Sequence, residues 1–456
     1  MSQNTQLIFG AAKEIITPAE RTTMIGFGTV FGVPFQDIHD DLYARTLLLE
    51  DIATGKQVIL IAMDLLFHDD SLPNAMRQYV KETYGVDPNN LHVSYTHTHF
   101  GPAVKGYDFT WYKESYEEFL FDRIRRCIDR AFLTRRKGCL KFSAVNGDWN
   151  VSRRLPRNGI MDFAPNPDGE RDGNLYLMKL EDENGVMRAL ATSFACHPSN
   201  LGGINNLSSE YPGRLCQRIE GEFYGCTALF FQGFGADCKL KRGMKTSRFA
   251  GMTYEECDEV AGAMLSRVKT QLLGGSWQTL PIDLGSRIFQ VTLPLQRYER
   301  AFYEEMANDY GNRRTRPAEE QDPKNPGIKE DTGLNSCRLH WACADYVLEN
   351  YDNLPDYIPL NCGAVRINED FYILSMGGEP GINIQTILRE HFAGKQILCF
   401  GYNDAIAYVP SDKMVAEGGY EASENRAVNE YRLKGEVMPG VDEIYRQGYT
   451  KAICEM

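Results

Sequence analysis

The order of apolar and polar positions along the chain predicts alternating strands and helices. Short, nearly continuous apolar runs are typical of sheet strands buried on both faces. The runs that predict strands cover residues 7–12, 42–50, 57–64, 90–95, 140–149, 175–181, 188–195, 227–231, 288–293, 360–367, 371–375 and 397–402. Amphipathic spacing predicts helices over 72–83, 115–134 and 382–391. The pattern therefore indicates an α/β protein with mixed, twisted sheets flanked by helices.

The chain has no repeat and no distinct linker, so we expect a single domain over residues 1–456. Residues 311–335 are rich in charge, proline and glycine and show no periodicity. This segment is predicted to be a long loop that acts as a lid or an insert.

Composition and charge narrow the class of ligand. The formal net charge of −13 argues against a nucleic-acid partner, which would favour a basic surface. No apolar stretch approaches the roughly 20 residues of a membrane span. The start of the chain lacks a secretory signal pattern, and the twelve cysteines are scattered singly. We expect a cytoplasmic protein that acts on a small molecule.

Two histidines follow the predicted strand over residues 90–95. His97 and His99 lie in the run Tyr-Thr-His-Thr-His-Phe-Gly-Pro, residues 95–102. Alternate positions of an extended chain share a face, so both rings are predicted to face one site. Open α/β sheets place their chemistry at the carboxyl ends of strands. A pair of satisfied core histidines is the alternative that spacing leaves open.

Two further polar residues also stand where predicted strands end. His197 follows the strand over 188–195, and Glu379 lies between the strand over 371–375 and the helix over 382–391. With His97 they form a His2Glu set, which suits a catalytic zinc ion with one open position. Taken alone, Glu379 also fits the first turn of a helix, where the dipole favours a carboxylate. The residues thus favour a hydrolytic zinc site without fixing it.

Several motifs, in this order, resemble the neutral (alkaline, non-lysosomal) ceramidases and their shorter bacterial relatives. The matching segments are 9–18, 38–45, 96–102, 150–153, 194–197, 378–380 and 419–423. The resemblance implies that His97, His197, Glu379 and Tyr420 bind Zn²⁺. It also implies that His99 transfers a proton and that Arg153 reaches the substrate carbonyl. The implied reaction is hydrolysis by metal-activated water.

One segment departs from the family pattern. Where the family carries a serine, residues 232–240 read Gln-Gly-Phe-Gly-Ala-Asp-Cys-Lys-Leu, so Lys239 or Cys238 replaces it. We therefore expect the amide of a small soluble molecule, rather than ceramide, as the substrate.

Two other functions remain open at this point. In one, a zinc-dependent hydrolase cleaves an ester or a glycosidic bond, with Tyr107, Trp111, Trp149 and Tyr402 as candidates to line a sugar site. In the other, the protein is a non-catalytic relative with a structural metal, which would require a closed four-ligand site.

Overall fold

The computed structural model describes residues 7–27, 33–106, 112–202, 204–313, 332–404, 407–423 and 431–456. Its strands are β1 Leu7–Ile15, β2 Met24–Ile25, β3 Asp37–Ile38, β4 Tyr43–Asp51, β5 Gln57–Met63, β6 Leu91–Tyr95, β7 Gly101–Pro102, β8 Arg136–Asn146, β9 Asn150–Arg157, β10 Ile160–Asn166, β11 Asn174–Asp182, β12 Met187–Phe194, β13 Asn206–Leu207, β14 Thr227–Gln232, β15 Cys238–Leu240, β16 Gln278–Leu280, β17 Gly285–Arg297, β18 Tyr357–Asn368, β19 Phe371–Met376, β20 Glu379–Pro380, β21 Gln396–Phe400, β22 Tyr408–Val409 and β23 Gly435–Val437. Its helices are α1 Ser71–Tyr84, α2 Glu114–Leu133, α3 Glu210–Glu222, α4 Tyr254–Gly274, α5 Arg300–Arg313, α6 Thr332–Asn350, α7 Ile382–His391, α8 Asp412–Glu417 and α9 Val441–Cys454.

Two mixed sheets form the centre of the molecule. The larger, nine-stranded sheet runs β14-β12-β11-β8-β1-β4-β5-β6, with β16 paired to β8, and the five-stranded sheet runs β21-β19-β18-β17-β23. Most neighbouring strands are antiparallel, whereas β5 with β6, β12 with β14 and β19 with β21 are parallel. The predicted α/β class with mixed sheets and flanking helices is confirmed.

The two sheets pack face to face, and helices cover their outer faces. Side chains such as Leu60, Phe231 and Ile373 fill the layer between the sheets. Helices α1 to α4 cover the other face of the large sheet. Helices α7 and α9 cover the small sheet. Strands buried on both faces need apolar residues at successive positions, which explains the continuous runs in the sequence.

Some predicted bounds differ from the structure. The strand predicted over 140–149 starts earlier and ends at Asn146, after which β9 and β10 form a hairpin. Of the loop predicted over 311–335, residues 311–313 end α5 and residues 332–335 begin α6, while 314–331 lie outside the described residues. Among the described helices, none has the length and apolar character needed to cross a membrane.

Candidate metal centre

Three histidines meet at the edge of the large sheet. The ring centroid of His97 lies 5.0 Å from that of His99 and 4.7 Å from that of His197, and His99 and His197 are 4.7 Å apart. One ligand atom from each ring falls within 4.8 Å of the others. The structure thus brings together His97, His99 and His197, a group that could hold a metal ion.

The local backbone differs from the strand geometry predicted for His97 and His99. Strand β6 ends at Tyr95, and His97 adopts a left-handed conformation with φ 63°. Its backbone N–H donates to Leu65 O at 3.0 Å, and the N–H of His99 donates to Pro198 O at 3.2 Å. Because the chain turns here, backbone hydrogen bonds bring the two rings together. The prediction that His97 and His99 share a face as alternate positions of an extended strand is wrong.

Gly26 supports this turn by its close approach to His99. A Cβ atom at Gly26 would lie 2.7 Å from both the Cα and the carbonyl oxygen of His99, closer than packed atoms allow. The φ of Gly26 is 127°, a backbone conformation that residues other than glycine rarely adopt. Only glycine therefore lets this backbone contact His99.

Backbone carbonyls fix which nitrogen of each imidazole carries a proton. His97 Nδ1 lies 2.9 Å from Leu66 O, and His99 Nδ1 lies 2.5 Å from Gly26 O. A carbonyl oxygen only accepts hydrogen bonds, so both Nδ1 atoms must be N–H donors. In the neutral rings, Nε2 of His97 and of His99 then each carry a lone pair.

The third ring is fixed by its contact with the second. Nε2 of His197 lies 2.7 Å from Nε2 of His99. Because neutral His99 can only accept there, His197 donates from Nε2 and keeps a lone pair on Nδ1. Burial lowers the pKa of both His99 and His197 well below the usual value, and the positive charges of Arg153 and Lys239 lower it further. Both rings are therefore neutral at pH 7.

Glu379 completes a set of three acceptor atoms that face one another. Its Oε2 lies 3.4 Å from His97 Nε2 and 3.8 Å from His197 Nδ1. These three buried atoms have no hydrogen-bond partner within the described part of the chain. Ligand atoms about 2.1 Å from one tetrahedral ion lie about 3.4 Å apart, so the spacing fits a cation. Three buried lone pairs without a donor are otherwise costly.

The other oxygen of Glu379 is fixed by a residue that the motifs did not indicate. The Tyr431 hydroxyl donates a short hydrogen bond to Oε1. The backbone N–H of Glu379 donates to Ala407 O at 2.8 Å, which holds β20 beside β22. Burial raises the pKa of Glu379, but His97 and the Tyr431 hydroxyl outweigh it and leave the pKa below its usual value. Glu379 is therefore an ionised ligand candidate.

Arg153 and Tyr420 lie together on one side of this centre. Arg153 is buried on β9, where Nε donates to Glu421 at 2.7 Å and Nη2 donates to the Tyr408 hydroxyl at 3.3 Å. Its guanidinium lies 5.4 Å from the centroid of the Tyr420 ring. The Tyr420 ring in turn packs 5.3 Å from Tyr408. Arg153 is thus buried, whereas Tyr420 is placed by its contacts with Arg153 and neighbouring rings, and its role as a ligand stays a prediction.

The segment that departs from the family pattern passes next to His197. The N–H of His197 donates to Cys238 O at 2.9 Å, and Nζ of Lys239 donates to Ser199 O at 2.8 Å. Cys238 is fully buried, and burial raises its pKa well above the usual value, so it is an inert core thiol. Lys239 is thus a charged side chain that this segment presents near the histidines.

The aromatic residues considered for a sugar site have different surroundings. Trp149 packs 5.8 Å from Phe194 in the core. Tyr402 lies 4.4 Å from the His97 ring, and its buried hydroxyl has no partner within the described residues. Tyr107 and Trp111 lie outside the described residues. Of the two residues that the structure describes, Trp149 lies in the core and Tyr402 lies beside the candidate metal centre.

Solved ceramidase structures share the fold that carries this centre. The neutral ceramidase of Pseudomonas aeruginosa matches 99% of this chain and 74% of its own length with a TM-score of 0.71, at 18% identity. A ceramidase complexed with C2 matches 98% of this chain and 75% of its own length with a TM-score of 0.73, also at 18% identity. The ceramidase fold expected from the motifs is confirmed.

The sequence is also similar to that of a curated relative. The neutral ceramidase of Pseudomonas aeruginosa is 26% identical over 215 residues. The aligned region covers 44% of this chain and 31% of the relative. No family model matches the chain. The resemblance inferred from the motifs is therefore supported by both sequence and fold.

Proposed function

We propose that this protein is a zinc-dependent hydrolase that cleaves an amide bond in a small-molecule substrate. The observation that carries the proposal is the convergence of His97 Nε2, His197 Nδ1 and Glu379 Oε2, three buried acceptor atoms for which the described residues supply no donor. The likeness to neutral ceramidase supports the hydrolase class and the amide bond.

His97, His197 and Glu379 would hold the ion, and Tyr420 is the candidate for a further ligand. A His2Glu set with an open position is typical of catalytic zinc. Zinc bound there would polarise a substrate carbonyl and lower the pKa of a bound water towards about 7. Tyr431 would act as a positioning residue, because its hydroxyl fixes the Glu379 carboxylate.

His99 would transfer the proton. Its Nδ1 is committed to Gly26 O, so a proton would be taken up and released at Nε2, which would exchange the hydrogen bond it accepts from His197 for one with the reacting water. Its lowered pKa keeps it neutral before the reaction and makes the protonated form a strong acid towards the leaving amine.

Arg153 would stabilise the negative charge that develops on the carbonyl oxygen. Nε and Nη2 are held by Glu421 and Tyr408, and within the described residues Nη1 has no acceptor. A fixed guanidinium in a buried site stabilises charge without reorganising during the reaction.

A cytoplasmic location would suit this function. All twelve cysteines are free thiols, and most are buried. Unpaired thiols are typical of a reducing compartment.

The proposal is tested by turnover on matched chromogenic amides, esters and glycosides. The protein is stripped with a chelator and then supplied with one equivalent of zinc. We expect amide hydrolysis that disappears on chelation and returns with zinc. His99→Ala should lower kcat by about 100-fold or more. The control variant His39→Ala changes an exposed histidine and should leave turnover unchanged.

Three results would contradict the proposal. Amide turnover that survives chelation would exclude a metal mechanism. Cleavage of glycosides or esters without amides would change the bond assigned to the site. A zinc-loaded protein without turnover on any probe would favour the non-catalytic relative.

A further inference from the structure

Lys239 places an ammonium group beside the metal centre. Its strand, β15, pairs with β9, so that Lys239 lies opposite Val151. Nζ donates to Ser199 O, two residues after His197. The residue is partly exposed. The side chain therefore lies in the wall of the site and keeps some contact with solvent.

Within the described part of the chain, this ammonium has no counter-ion. Among the described residues, no carboxylate lies within ion-pair distance of Nζ. Glu210 lies in the neighbourhood, but its oxygens accept from the Asn200 amide at 2.7 Å and from the Tyr211 N–H at 2.8 Å. An ammonium has three donors, and the structure supplies one protein acceptor. An unpaired cation in a partly buried position favours an anionic ligand.

Arg153 provides a second positive charge beside the same aromatic residues. Its guanidinium lies 4.8 Å from the Phe163 ring, and the Lys239 ammonium lies 5.6 Å from the Phe249 ring. These two rings are 6.2 Å apart, and Phe163 is 44% exposed. The two cations therefore flank one solvent-accessible aromatic rim. Arg153 pairs with Glu421, which Arg154 shares, whereas Lys239 has no carboxylate partner among the described residues.

We infer that Lys239 binds a carboxylate of the substrate, so that the amide cleaved at this centre belongs to an anionic molecule. Arg153 adds to the positive field, and the aromatic rim of Phe163 and Phe249 contacts the apolar part of that molecule. This inference rests on the proposed hydrolase function. It makes Lys239 a specificity residue, and an uncharged lipid amide should then be a poorer substrate than an anionic amide.

The experiment measures charge preference with two matched pairs of amides. N-octanoylglycine and N-octanoylglycinamide differ in charge on the amine side. N-octylsuccinamic acid and N-octylsuccinamide differ in charge on the acyl side. The ratio of kcat/KM for acid over carboxamide is determined with the zinc-loaded protein. We expect the acid of at least one pair to be preferred by roughly 10- to 100-fold, the range expected for a hydrogen bond between charged groups.

Variants assign that preference to one side chain. Lys239→Met keeps the apolar stem and should bring the ratio close to one. Lys239→Arg keeps the charge and should retain a clear preference, which separates recognition from a folding defect. Lys241→Met is the matched control, because Lys241 lies two residues further on and pairs with Asp148. It should leave the ratio unchanged.

The outcomes separate this inference from the proposed function. Amide cleavage with equal kcat/KM for acid and carboxamide in both pairs, or a preference that survives Lys239→Met, overturns the inference and leaves the hydrolase in place. If no probe is cleaved, the proposed function fails, and calorimetry on the same uncleaved probes decides the inference. Tenfold tighter binding of an acid that is lost in Lys239→Met supports it, and equal binding of acid and carboxamide overturns it.

Discussion

Replacing His68 by glutamine should destabilise the protein at pH 6 but much less at pH 9.5. His68 is fully buried, with Nε2 2.8 Å from Glu117 Oε2 and Nδ1 3.1 Å from Asp69 Oδ1. Since both ring nitrogens face acceptors, the ring carries both protons and a positive charge. His68 lies two residues after Leu66, whose carbonyl oxygen orients the His97 ring.

The size of the effect follows from the pKa of His68. Burial lowers this pKa, but the hydrogen bonds to Asp69 and Glu117 outweigh burial and raise it to about 9. A rise from the ordinary value of about 6.5 corresponds to roughly 3 kcal/mol at 1.36 kcal/mol for each pH unit. Asp69 is 43% exposed, so water screens part of its share, and we expect roughly 2 to 3 kcal/mol.

The sign is fixed by which state binds the proton more tightly. Because the pKa is higher in the folded protein, the stabilisation is present in full below about pH 6.5. It declines as the pH rises towards 9 and is absent above that value. Titrating groups that do not contact His68 cancel in the difference between wild type and variant, and the Asp69 carboxyl, whose pKa His68 lowers, is ionised throughout this pH range.

The assay is urea unfolding of chelated wild type and His68→Gln between about pH 6 and pH 9.5, followed by circular dichroism. The difference in unfolding free energy should shrink by roughly 2 to 3 kcal/mol across this range. Asp122→Asn is the control, because it breaks an exposed ion pair with Arg126 on α2, the helix that also carries Glu117. It should change the unfolding free energy by less than about 1 kcal/mol at any pH. Parallel stability curves for wild type and His68→Gln would refute the reasoning.

Two further predictions concern residues that support the metal centre. Tyr431→Phe removes the hydroxyl that fixes Glu379, so the Kd for zinc, measured by competition with a chelator, should rise by roughly 10- to 100-fold. The control variant Tyr224→Phe changes an exposed tyrosine and should leave the Kd unchanged. Equal affinities of wild type and Tyr431→Phe would contradict the positioning role. Gly26→Ala places a methyl group against the backbone of His99, so kcat should fall by about tenfold or more while the zinc content is retained. Gly55→Ala adds a methyl group where there is open space, and it should keep wild-type turnover. Normal turnover in Gly26→Ala would show that the backbone contact is dispensable.

The strands that end at the candidate ligands could be predicted from sequence. The apolar runs over 188–195 and 371–375 correspond to Met187–Phe194 and Phe371–Met376. These strands are buried on both faces between sheet and helix layers, so their sequences do not alternate. The polar residue that ends each run was therefore visible as a candidate ligand, namely His197 and Glu379.

The hairpin of β9 and β10 could not be predicted, because charged residues and prolines interrupt its apolar positions and leave no apolar run. Its key side chain, Arg153, is buried through an ion pair with Glu421, which lies 268 residues away in sequence. A local pattern describes such a residue as part of a solvated basic loop. Only the tertiary contact reveals that it is buried.

The detailed chemistry of the histidines was also beyond the sequence. Their tautomers depend on the carbonyl oxygens of Leu66 and Gly26, and a carbonyl has no residue-specific signature. Tyr431 likewise lies in a polar stretch without a strand or helix pattern. Its role follows only from the hydrogen bond to Glu379.

The central claim is that His97, His197 and Glu379 hold one metal ion while His99 does not. The most direct measurement is the zinc content of wild type, His97→Ala and His99→Ala after dialysis against limiting zinc, by inductively coupled plasma mass spectrometry. We predict one equivalent of zinc in wild type and in His99→Ala, and loss of zinc in His97→Ala. Zinc retained at full stoichiometry in His97→Ala, or absent from the folded wild type, would contradict the account.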